Sequence, residues 1–245
     1  MNASDADLSR LVERSLSGTI GFAHRGAALT SRGHNTLPAF ERALALGADG
    51  LETDVSLTAD GVPVLVHPRL LPARGPAMST LMRRDLPEHI PSLADLYDRC
   101  GTDFALSLDM RAPQAAAAVI SEAAEHDALA RLHLTYWKLS TLEAWRVRWP
   151  EVQLMFATMP LRPRQTVRLM ARLSDIDVGL NMHHWFCSRS LIELALEKQL
   201  RIFAWGVRKS VRVESLVARG VDGVYCDDVE GMVRVLNGRR NPTCG

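Results

Sequence analysis

The feature that most constrains the fold is an alternation of short apolar segments with amphipathic segments, which continues from residue 92 to residue 236. Short runs of aliphatic and aromatic residues predict strands, and apolar positions three and four apart predict helices. Strands alternating with helices are typical of a parallel sheet covered by helices. About eight such units favour a closed α/β barrel, the (β/α)8 or TIM barrel, over an open doubly wound sheet.

The predicted strands are 20–23, 51–57, 104–108, 132–136, 153–157, 178–180, 201–205 and 223–226. The predicted helices after residue 91 are 92–100, 113–125, 140–149, 164–173, 188–198, 211–219 and 229–236.

The first two predicted strands carry ionisable residues towards their ends. The first stops at His24, and Glu52 and Asp54 lie two residues apart on the second. Side chains alternate along a strand, so these two carboxylates face the same way, about 7 Å apart. If both are ionised they repel each other, so the pair predicts either a bound cation between them or one protonated carboxyl group. The alternative interpretation is that both are solvated acids on an edge strand. A turn at 58–61 then predicts a hairpin, a short insertion after strand two that returns the chain to His67.

Length and charge restrict the classes of protein that this chain fits. Its 245 residues suit one domain over 1–245, with an amphipathic helix over 1–17 that caps the barrel. The net charge of +1 provides no basic field for nucleic acid, and we expect a small-molecule partner. The four cysteines include no C-x-x-C pair, which favours a reduced protein. We find no secretory signal, which favours a cytoplasmic location, and no apolar run long enough to predict a membrane span. The oligomeric state is left open. No G-x-G-x-x-G opens the first helix, which counts against dinucleotide binding.

In a barrel of this type the chemistry lies at the carboxyl ends of the strands. The third strand is followed by Asp109 and Arg111, again two residues apart. With Glu52 and Asp54, Asp109 gives three hard oxygen ligands, which suit a divalent cation such as Mg²⁺ or Ca²⁺ better than zinc or copper. Arg25 and Arg111 are candidate phosphate clamps, and structural ion pairs with the acids are the alternative. Trp205 and Trp137 are candidates for an apolar wall or for core packing.

The order and spacing of several motifs resemble the glycerophosphodiester phosphodiesterase family over nearly the whole chain. The motifs are His24-Arg25-Gly26, Asn35-Thr36-Leu37-Pro38-Ala39-Phe40, Gly47-Ala48-Asp49-Gly50-Leu51-Glu52-Thr53-Asp54-Val55, Thr58-Ala59-Asp60-Gly61, His67, Ile90-Pro91-Ser92-Leu93-Ala94-Asp95-Leu96, Trp205 and Gly220-Val221-Asp222-Gly223-Val224-Tyr225-Cys226-Asp227-Asp228. The resemblance implies a TIM barrel and a metal-dependent hydrolysis of glycerophosphodiesters to glycerol 3-phosphate and an alcohol. It implies that His24 and His67 act as acid and base, that Glu52, Asp54 and Asp109 bind the metal, and that a cyclic phosphate forms first.

The chain departs from the family at several positions near the expected site. The family's P-E-N-T is Gly33-His34-Asn35-Thr36, so a glutamate is replaced by His34, which becomes a candidate substrate contact beside Asn35. The family's H-D is His67-Pro68, its E-x-K is Asp109-x-Arg111, and its W-T-V-N is Trp205-Gly206-Val207-Arg208. The segment over the barrel mouth, 68–91, is short and is predicted as a loop.

These departures leave two alternatives to the leading hypothesis. His34 and Pro68 motivate a phosphate- or headgroup-binding homologue with impaired turnover. Asp109 and the short loop motivate a phosphodiesterase like lysophospholipase D or sphingomyelinase D, since the sphingomyelinase D branch also has an aspartate at that position and an E-x-D-V-S like 52–56.

Overall fold

The strands form one closed barrel. The computed structural model describes residues 18–30, 33–67, 77–159 and 163–240. Eight parallel strands follow one another around the barrel in the order β1-β9-β8-β7-β6-β5-β4-β2, and the pairing of β1 with β2 closes it. The remaining described strand, β3, pairs antiparallel with the end of β2. The strands are β1 (Ile20–His24), β2 (Gly50–Leu57), β3 (Pro63–Leu65), β4 (Ala105–Met110), β5 (Leu132–Tyr136), β6 (Gln153–Thr158), β7 (Gly179–His183), β8 (Ile202–Val207) and β9 (Gly223–Cys226).

Helices connect successive parallel strands, as the predicted (β/α)8 architecture requires. They are α1 (Leu37–Ala45), α2 (Leu93–Cys100), α3 (Ala116–Glu125), α4 (Leu139–Arg148), α5 (Pro163–Asp175), α6 (Arg189–Glu197), α7 (Ser210–Val217) and α8 (Val229–Arg240). The start of α2 illustrates how local sequence sets these bounds. The Asp95 backbone N–H donates to Ser92 Oγ, and the Ser92 N–H donates to the Asp95 carboxylate. This capping box satisfies two N–H groups at the helix start.

The apolar core has two layers. Inside the barrel, Phe22, Met155, Phe203 and Tyr225 form one buried cluster, in which the Phe22 and Tyr225 rings lie 5.0 Å apart. Outside it, alternate strand residues such as Leu51 pack against the helices. Fully burying one such side chain contributes about 1.5–3 kcal/mol. Apolar residues therefore fill both faces of the sheet and leave the carboxyl edge of the strands for polar groups.

Strand register places the predicted acids at two successive levels near that edge. His24 on β1 pairs with Glu52 on β2, and Glu52 pairs on its other side with Ser107 on β4. Two residues further on, Asp54 pairs with Asp109. Because side chains alternate, this register turns Glu52, Asp54 and Asp109 to the same face of neighbouring strands.

The predicted barrel and its strands are confirmed, with corrections at some strand ends and in the loop over 68–91. The strand predicted at 104–108 continues to Met110, so Asp109 lies on β4 and not after it. The strand predicted at 178–180 continues to His183, so Asn181 and His183 lie on β7 and not in a loop after it. The polarity of these residues ends the predicted strand at 180, but strand ends that face a barrel mouth need no apolar side chains. The predicted loop over 68–91 contains two short 3-10 helices in its described part, Met78–Thr80 and Arg83–Asp85. The predicted helix over 1–17 lies outside the described residues. None of the described helices combines the length and apolar composition needed to cross a bilayer.

Candidate active site

A cavity of about 820 Å³ lies at the carboxyl edge of the barrel strands. Its volume is in the upper part of the range of about 300–1,000 Å³ that is usual for small-molecule sites. The cavity is lined by His24, Arg25, His34, Glu52, Asp54, Ser107, Asp109, Arg111, Thr135, Trp137, Phe156, Ala157, Thr158, Met159, Asn181, Trp205, Gly206, Arg208, Tyr225 and Asp227. Most of the predicted site residues are therefore brought together.

The three predicted carboxylates differ in their exposure. The Glu52 side chain is 13% exposed, Asp54 only 2%, and Asp109 34%. Burial raises the pKa of Glu52 to about 7, against the opposing effect of His24. Burial also raises the pKa of Asp109 to about 6, although Arg111 opposes the rise. Desolvation favours the neutral form of a carboxyl group, so positive charge placed beside Glu52 and Asp109 would stabilise their ionised forms.

Two arginines supply positive charge beside these acids. Arg111 donates from Nε to Asp54 Oδ1 at 2.7 Å, and one of its terminal nitrogens lies 2.5 Å from that oxygen and 2.9 Å from Asp109 Oδ2. Arg25 Nε lies 3.7 Å from Asp54 Oδ2, which is an ion pair but not a hydrogen bond. The guanidinium of Arg111 thus bridges two of the three carboxylates that the sequence predicts as metal ligands.

The turn after β1 places Arg25 at the cavity. Its backbone N–H donates to the Glu52 carbonyl at 2.8 Å, and its φ is +58°, in the left-handed region. Gly26 follows with φ +78°, and a Cβ there would lie 2.8 Å from the Ala39 backbone carbon. The chain therefore turns sharply against α1, and only glycine fits at that position without displacing the helix.

His24 lies between two carboxylates from neighbouring strands. Its Nδ1 forms a 2.6 Å hydrogen bond with Asp227 Oδ1, and its Nε2 lies 3.8 Å from Glu52 Oε2. Burial of the ring opposes protonation, but Glu52 and the hydrogen bond to Asp227 outweigh it and raise the pKa of His24 above 6.5. The same hydrogen bond lowers the pKa of Asp227. The carboxylate of Asp227 accepts from Nδ1, so Nε2 is the nitrogen directed at Glu52.

The other predicted contacts fall into two groups. His34 lines the cavity, and burial, with the nearby charge of Arg25, lowers its pKa. His67 and Asn35 are buried and are not among the residues that line it. Asn35 Oδ1 instead accepts a 3.0 Å hydrogen bond from Thr53 Oγ1, which ties the loop before α1 to the outer face of β2. Val66 donates its backbone N–H to the Asp54 carbonyl, which holds the segment that leads to His67 against β2.

The carboxylates of Glu52, Asp54 and Asp109 are chemically suited to bind a divalent cation. Glu52 Oε2 and Asp54 Oδ2 are buried and accept no hydrogen bond from the described residues. Buried anionic oxygens of this kind require a cation or a proton, and carboxylate oxygens are ligands that Mg²⁺ and Ca²⁺ prefer. Within the described ranges, however, no group of three or more His, Cys, Asp or Glu side chains is arranged so that it could hold a metal ion. Arg111 contacts both Asp54 and Asp109 and so lies between two of the predicted ligands.

Aromatic side chains form another part of the cavity wall. Trp205 on β8 packs edge-on against His183 on β7, with ring centroids 4.6 Å apart. Gly206 follows with φ +79°, and a Cβ there would lie 2.7 Å from the His183 ring. Trp137 and Phe156 line the side formed by β5 and β6. Both tryptophans that the sequence suggested for an apolar wall therefore lie at the cavity.

Sequence reasoning missed some residues of the cavity. Asp227 is 203 positions from its partner His24, and its place directly after the predicted strand 223–226 was the one signal that could have found it. Arg208 lines the cavity near Asp227. Ser107 and Tyr225 share a 2.8 Å hydrogen bond beneath Glu52, and burial raises the pKa of Tyr225 above its ordinary value. Ser107 and Tyr225 lie within apolar strands, so their sequence context resembles ordinary core.

Comparison with known proteins shows a similarity to one family. A profile of the Glycerophosphoryl diester phosphodiesterase family matches residues 24–82. A glycerophosphodiester phosphodiesterase of Caldanaerobacter subterraneus subsp. tengcongensis is 24% identical over 89% of this chain and 98% of its own length.

Two solved structures share the fold. A putative glycerophosphoryl diester phosphodiesterase from Silicibacter pomeroyi has a TM-score of 0.78 at 20% identity, covering 91% of this chain and 94% of its own. A phosphodiesterase of Oleispira antarctica in complex with the product sn-glycerol-3-phosphate has a TM-score of 0.78 at 19% identity, covering 91% of this chain and 99% of its own. The profile match contains His24, Glu52, Asp54 and His67. In its barrel fold and in the matched residues 24–82, the chain is similar to the Glycerophosphoryl diester phosphodiesterase family.

Proposed function

We propose that this protein hydrolyses glycerophosphodiesters to glycerol 3-phosphate and an alcohol. One observation carries the proposal: a single cavity combines the guanidinium groups of Arg25 and Arg111, the carboxylates of Glu52, Asp54 and Asp109, and the His24 imidazole held by Asp227. The relative from Oleispira antarctica, which was solved with the product sn-glycerol-3-phosphate, supports this choice of product. In the reaction an oxygen nucleophile attacks phosphorus, the bond from phosphorus to the alcohol oxygen breaks, and that oxygen receives a proton.

Arg25 and Arg111 are the groups that would bind the phosphate. Guanidinium groups match phosphate oxygens with paired hydrogen bonds, and both arginines line the cavity. Each also lies beside Asp54. A bound phosphate would therefore share these arginines with the carboxylate, which orients the diester above β2 and β4.

His24 would transfer protons at Nε2. Its Nδ1 is held by Asp227, which fixes the ring and leaves Nε2 for the substrate. The resemblance to the family supports His67 as the second imidazole, so that one ring accepts the proton of the nucleophile and the other protonates the leaving alcohol. The resemblance also supports the adjacent glycerol hydroxyl as the first nucleophile, with water opening the cyclic phosphate afterwards.

Glu52, Asp54 and Asp109 would hold a divalent cation, Mg²⁺ or Ca²⁺. When bound, the cation supplies positive charge that stabilises the phosphoryl oxygens as the bond to the alcohol breaks. Glu52 Oε2 and Asp54 Oδ2 are buried and accept no hydrogen bond from the described residues, which supports this assignment.

The test is choline release from glycerophosphocholine in the presence of Mg²⁺ or Ca²⁺. We expect turnover that EDTA abolishes, and a loss of at least about 100-fold in kcat for His24→Ala and for Glu52→Gln. Val211→Ser, which alters an exposed residue on α7, is the matched control and keeps full activity. Turnover that persists in EDTA, or in the His24→Ala variant, contradicts the proposed mechanism.

The bridge made by Arg111 favours one second candidate, a phosphate-binding homologue with impaired turnover. If Arg111 stays between Asp54 and Asp109, a cation gains no third ligand, and the cavity binds phosphate without cleaving it. Calorimetry would then show binding of glycerol 3-phosphate that Mg²⁺ does not strengthen, and long incubation with glycerophosphocholine would release no choline. Metal-dependent product formation rejects this candidate.

A further inference from the structure

Arg208 places a guanidinium group at the cavity that the proposed reaction does not use. Arg25 and Arg111, which also line the cavity, both pair with the buried Asp54 carboxylate. Arg208 is exposed, and its side chain forms no hydrogen bond or close ion pair with a residue that the structure describes. Guanidinium groups form paired hydrogen bonds with carboxylates and phosphates. An arginine in this position is therefore suited to bind an anionic group of a ligand.

A bulge in β8 brings Arg208 to the mouth of the cavity. The register between β8 and β9 shifts between Ala204 and Val207, so that β8 carries an extra residue there. Gly206 lies within the bulge and has a φ of +79°. The Val207 carbonyl then accepts the Asp227 backbone N–H at 3.0 Å. Bulges beside active sites change the direction of side chains, and this one leaves Arg208 and Asp227 at the ends of neighbouring strands.

The other ionisable groups on this side leave the charge of Arg208 available to a ligand. Asp227 Oδ1 already accepts the 2.6 Å hydrogen bond from His24, which lowers the pKa of Asp227, and the charges of Arg208 and His34 add to this effect. Burial lowers the pKa of His34, so its ring is neutral at pH 7 and offers one N–H. The family's glutamate and asparagine at positions 34 and 208 are less positive than these two residues.

The strand order indicates which part of a diester would reach Arg208. Arg111 follows β4 and Arg208 follows β8, and β2, β1 and β9 lie between them with His24 at the end of β1. A phosphate bound by Arg25 and Arg111 therefore leaves Arg208 for a group on the other side of His24. The glycerol half of a glycerophosphodiester carries only hydroxyl groups beside its phosphate, so a charged group in this place belongs to the alcohol.

We propose that Arg208, with His34 as a hydrogen-bond donor beside it, binds an anionic group, a carboxylate or a second phosphate, on the leaving alcohol of the diester. This inference rests on the proposed phosphodiesterase function and names its substrate class. Overall, water adds to phosphorus, the bond from phosphorus to the alcohol oxygen breaks, and that oxygen receives a proton. The products are glycerol 3-phosphate and an alcohol whose anionic group is unchanged.

Two pairs of substrates test the inference. Glycerophosphoserine and glycerophosphoethanolamine differ by one carboxylate, and glycerophosphoglycerol and its terminal phosphate ester differ by one phosphate. We expect Arg208→Met to lower the ratio of kcat/KM for the anionic over the matching substrate about tenfold in at least one pair, which then identifies the group. Ratios that Arg208→Met leaves unchanged in both pairs overturn the inference, while turnover of these substrates leaves the proposed function intact.

The control is Lys209→Met, which removes the charge of an exposed neighbour outside the cavity lining and keeps both ratios. Arg208→Lys keeps the charge without the planar fork and should restore part of the ratio. Because Arg208 is exposed, added salt should lower the ratio in the wild type and leave it unchanged in Arg208→Met. If Arg208→Met instead reduces kcat/KM equally for all four substrates, Arg208 binds the diester phosphate and the proposed alcohol site is wrong.

Binding without turnover separates this inference from the proposed function. Calorimetry with Glu52→Gln, which leaves the hydrogen bond between His24 and Asp227 in place, gives the affinities of the four substrates. An anionic substrate that binds about tenfold more tightly than its match, with the difference lost on adding Arg208→Met, supports the site even if the wild type hydrolyses none of them. Equal affinities within both pairs reject it.

Discussion

At the scale of single residues, the contact between His24 and Asp227 has the clearest consequence. Replacing Asp227 with asparagine keeps the size of the side chain but removes the charge that holds the ring through a 2.6 Å hydrogen bond. We expect kcat on glycerophosphocholine to fall about 10- to 100-fold for Asp227→Asn, because general acid and base catalysis of this kind contributes about 10²- to 10⁴-fold. The melting temperature should change little.

The neighbouring Asp228 offers a matched control. Its carboxylate accepts from the Gly231 backbone N–H at 3.0 Å and caps α8. Asp228→Ala should lower the unfolding free energy by about 1 kcal/mol and leave kcat close to normal. If Asp227→Asn loses stability but not activity, Asp227 is a structural residue and not one that positions His24.

Substitution of Arg111 shows how much the stability of the protein depends on this one partner of the buried Asp54 carboxylate. Asp54 is almost fully buried and has its shortest contacts with Arg111. Arg111→Met leaves this carboxylate poorly compensated, and we expect the unfolding free energy in urea to fall by about 2 kcal/mol, below the values for fully buried pairs because Arg111 is partly exposed. Arg84→Met removes an exposed ion pair with Asp85 and should change stability by less than about 0.5 kcal/mol. Equal losses in the two variants would contradict this account.

At the scale of secondary-structure elements, His126 joins the ends of two helices. It follows α3, its Nδ1 donates to the Glu122 carbonyl at 2.9 Å, and its Nε2 lies 3.4 Å from Asp98 on α2. The hydrogen bond to the Glu122 carbonyl, together with the nearby carboxylates, raises the pKa of His126 above 6.5. Protonated His126 therefore stabilises this junction.

This raised pKa predicts the direction of a pH effect. A group whose pKa is higher in the folded protein contributes its full stability below pH 6.5 and loses it as the pH rises through the folded value. His126→Gln should therefore destabilise the protein more at pH 5.5 than at pH 8.5, as measured by urea unfolding at both values. Asp98→Asn should remove part of the difference. A loss that grows towards pH 8.5 has the wrong sign and excludes this contact as the cause.

At the scale of the whole molecule, closure of the barrel depends on small residues that face large ones. Gly50 begins β2, and a Cβ there would lie 2.5 Å from the Ala105 carbonyl oxygen and 2.7 Å from the Phe22 ring. We expect Gly50→Ala to lower the unfolding free energy by about 3 kcal/mol, since overpacking in a closed interior forces strand or ring displacement. The change is measured by calorimetry or urea unfolding.

A glycine outside the barrel provides the comparison. Gly238 lies in α8, and apart from its chain neighbours and the backbone of its own helix no heavy atom of the described residues lies within 4 Å of its Cβ position. Gly238→Ala should stabilise the protein by about 0.5–1 kcal/mol, because alanine restricts the unfolded chain and favours the helix. If both alanine variants have the same effect, the interior of the barrel is less tightly packed than this arrangement requires.

The sequence predicted the architecture because its signals are local. The strands at 132–136 and 223–226 match their predicted bounds, since each is a short apolar run beside clear helical periodicity. Polar strand ends were harder to predict. The predicted strand 178–180 stops short of Asn181 and His183, because composition does not distinguish a strand end that faces a polar mouth from a turn. The common face of Glu52 and Asp54 needed only the two-residue repeat of a strand.

By itself the sequence determined the closed barrel, the carboxyl edge as the place of the site, and most residues that gather there. Only the tertiary structure decided their contacts: Arg111 bridges Asp54 and Asp109, and Asp227 holds His24. The physical reason is that strand and helix periods are fixed by near neighbours in the chain. Contacts across a closed barrel depend instead on register and ring closure, which bring β9 beside β1 although the two strands lie at opposite ends of the sequence.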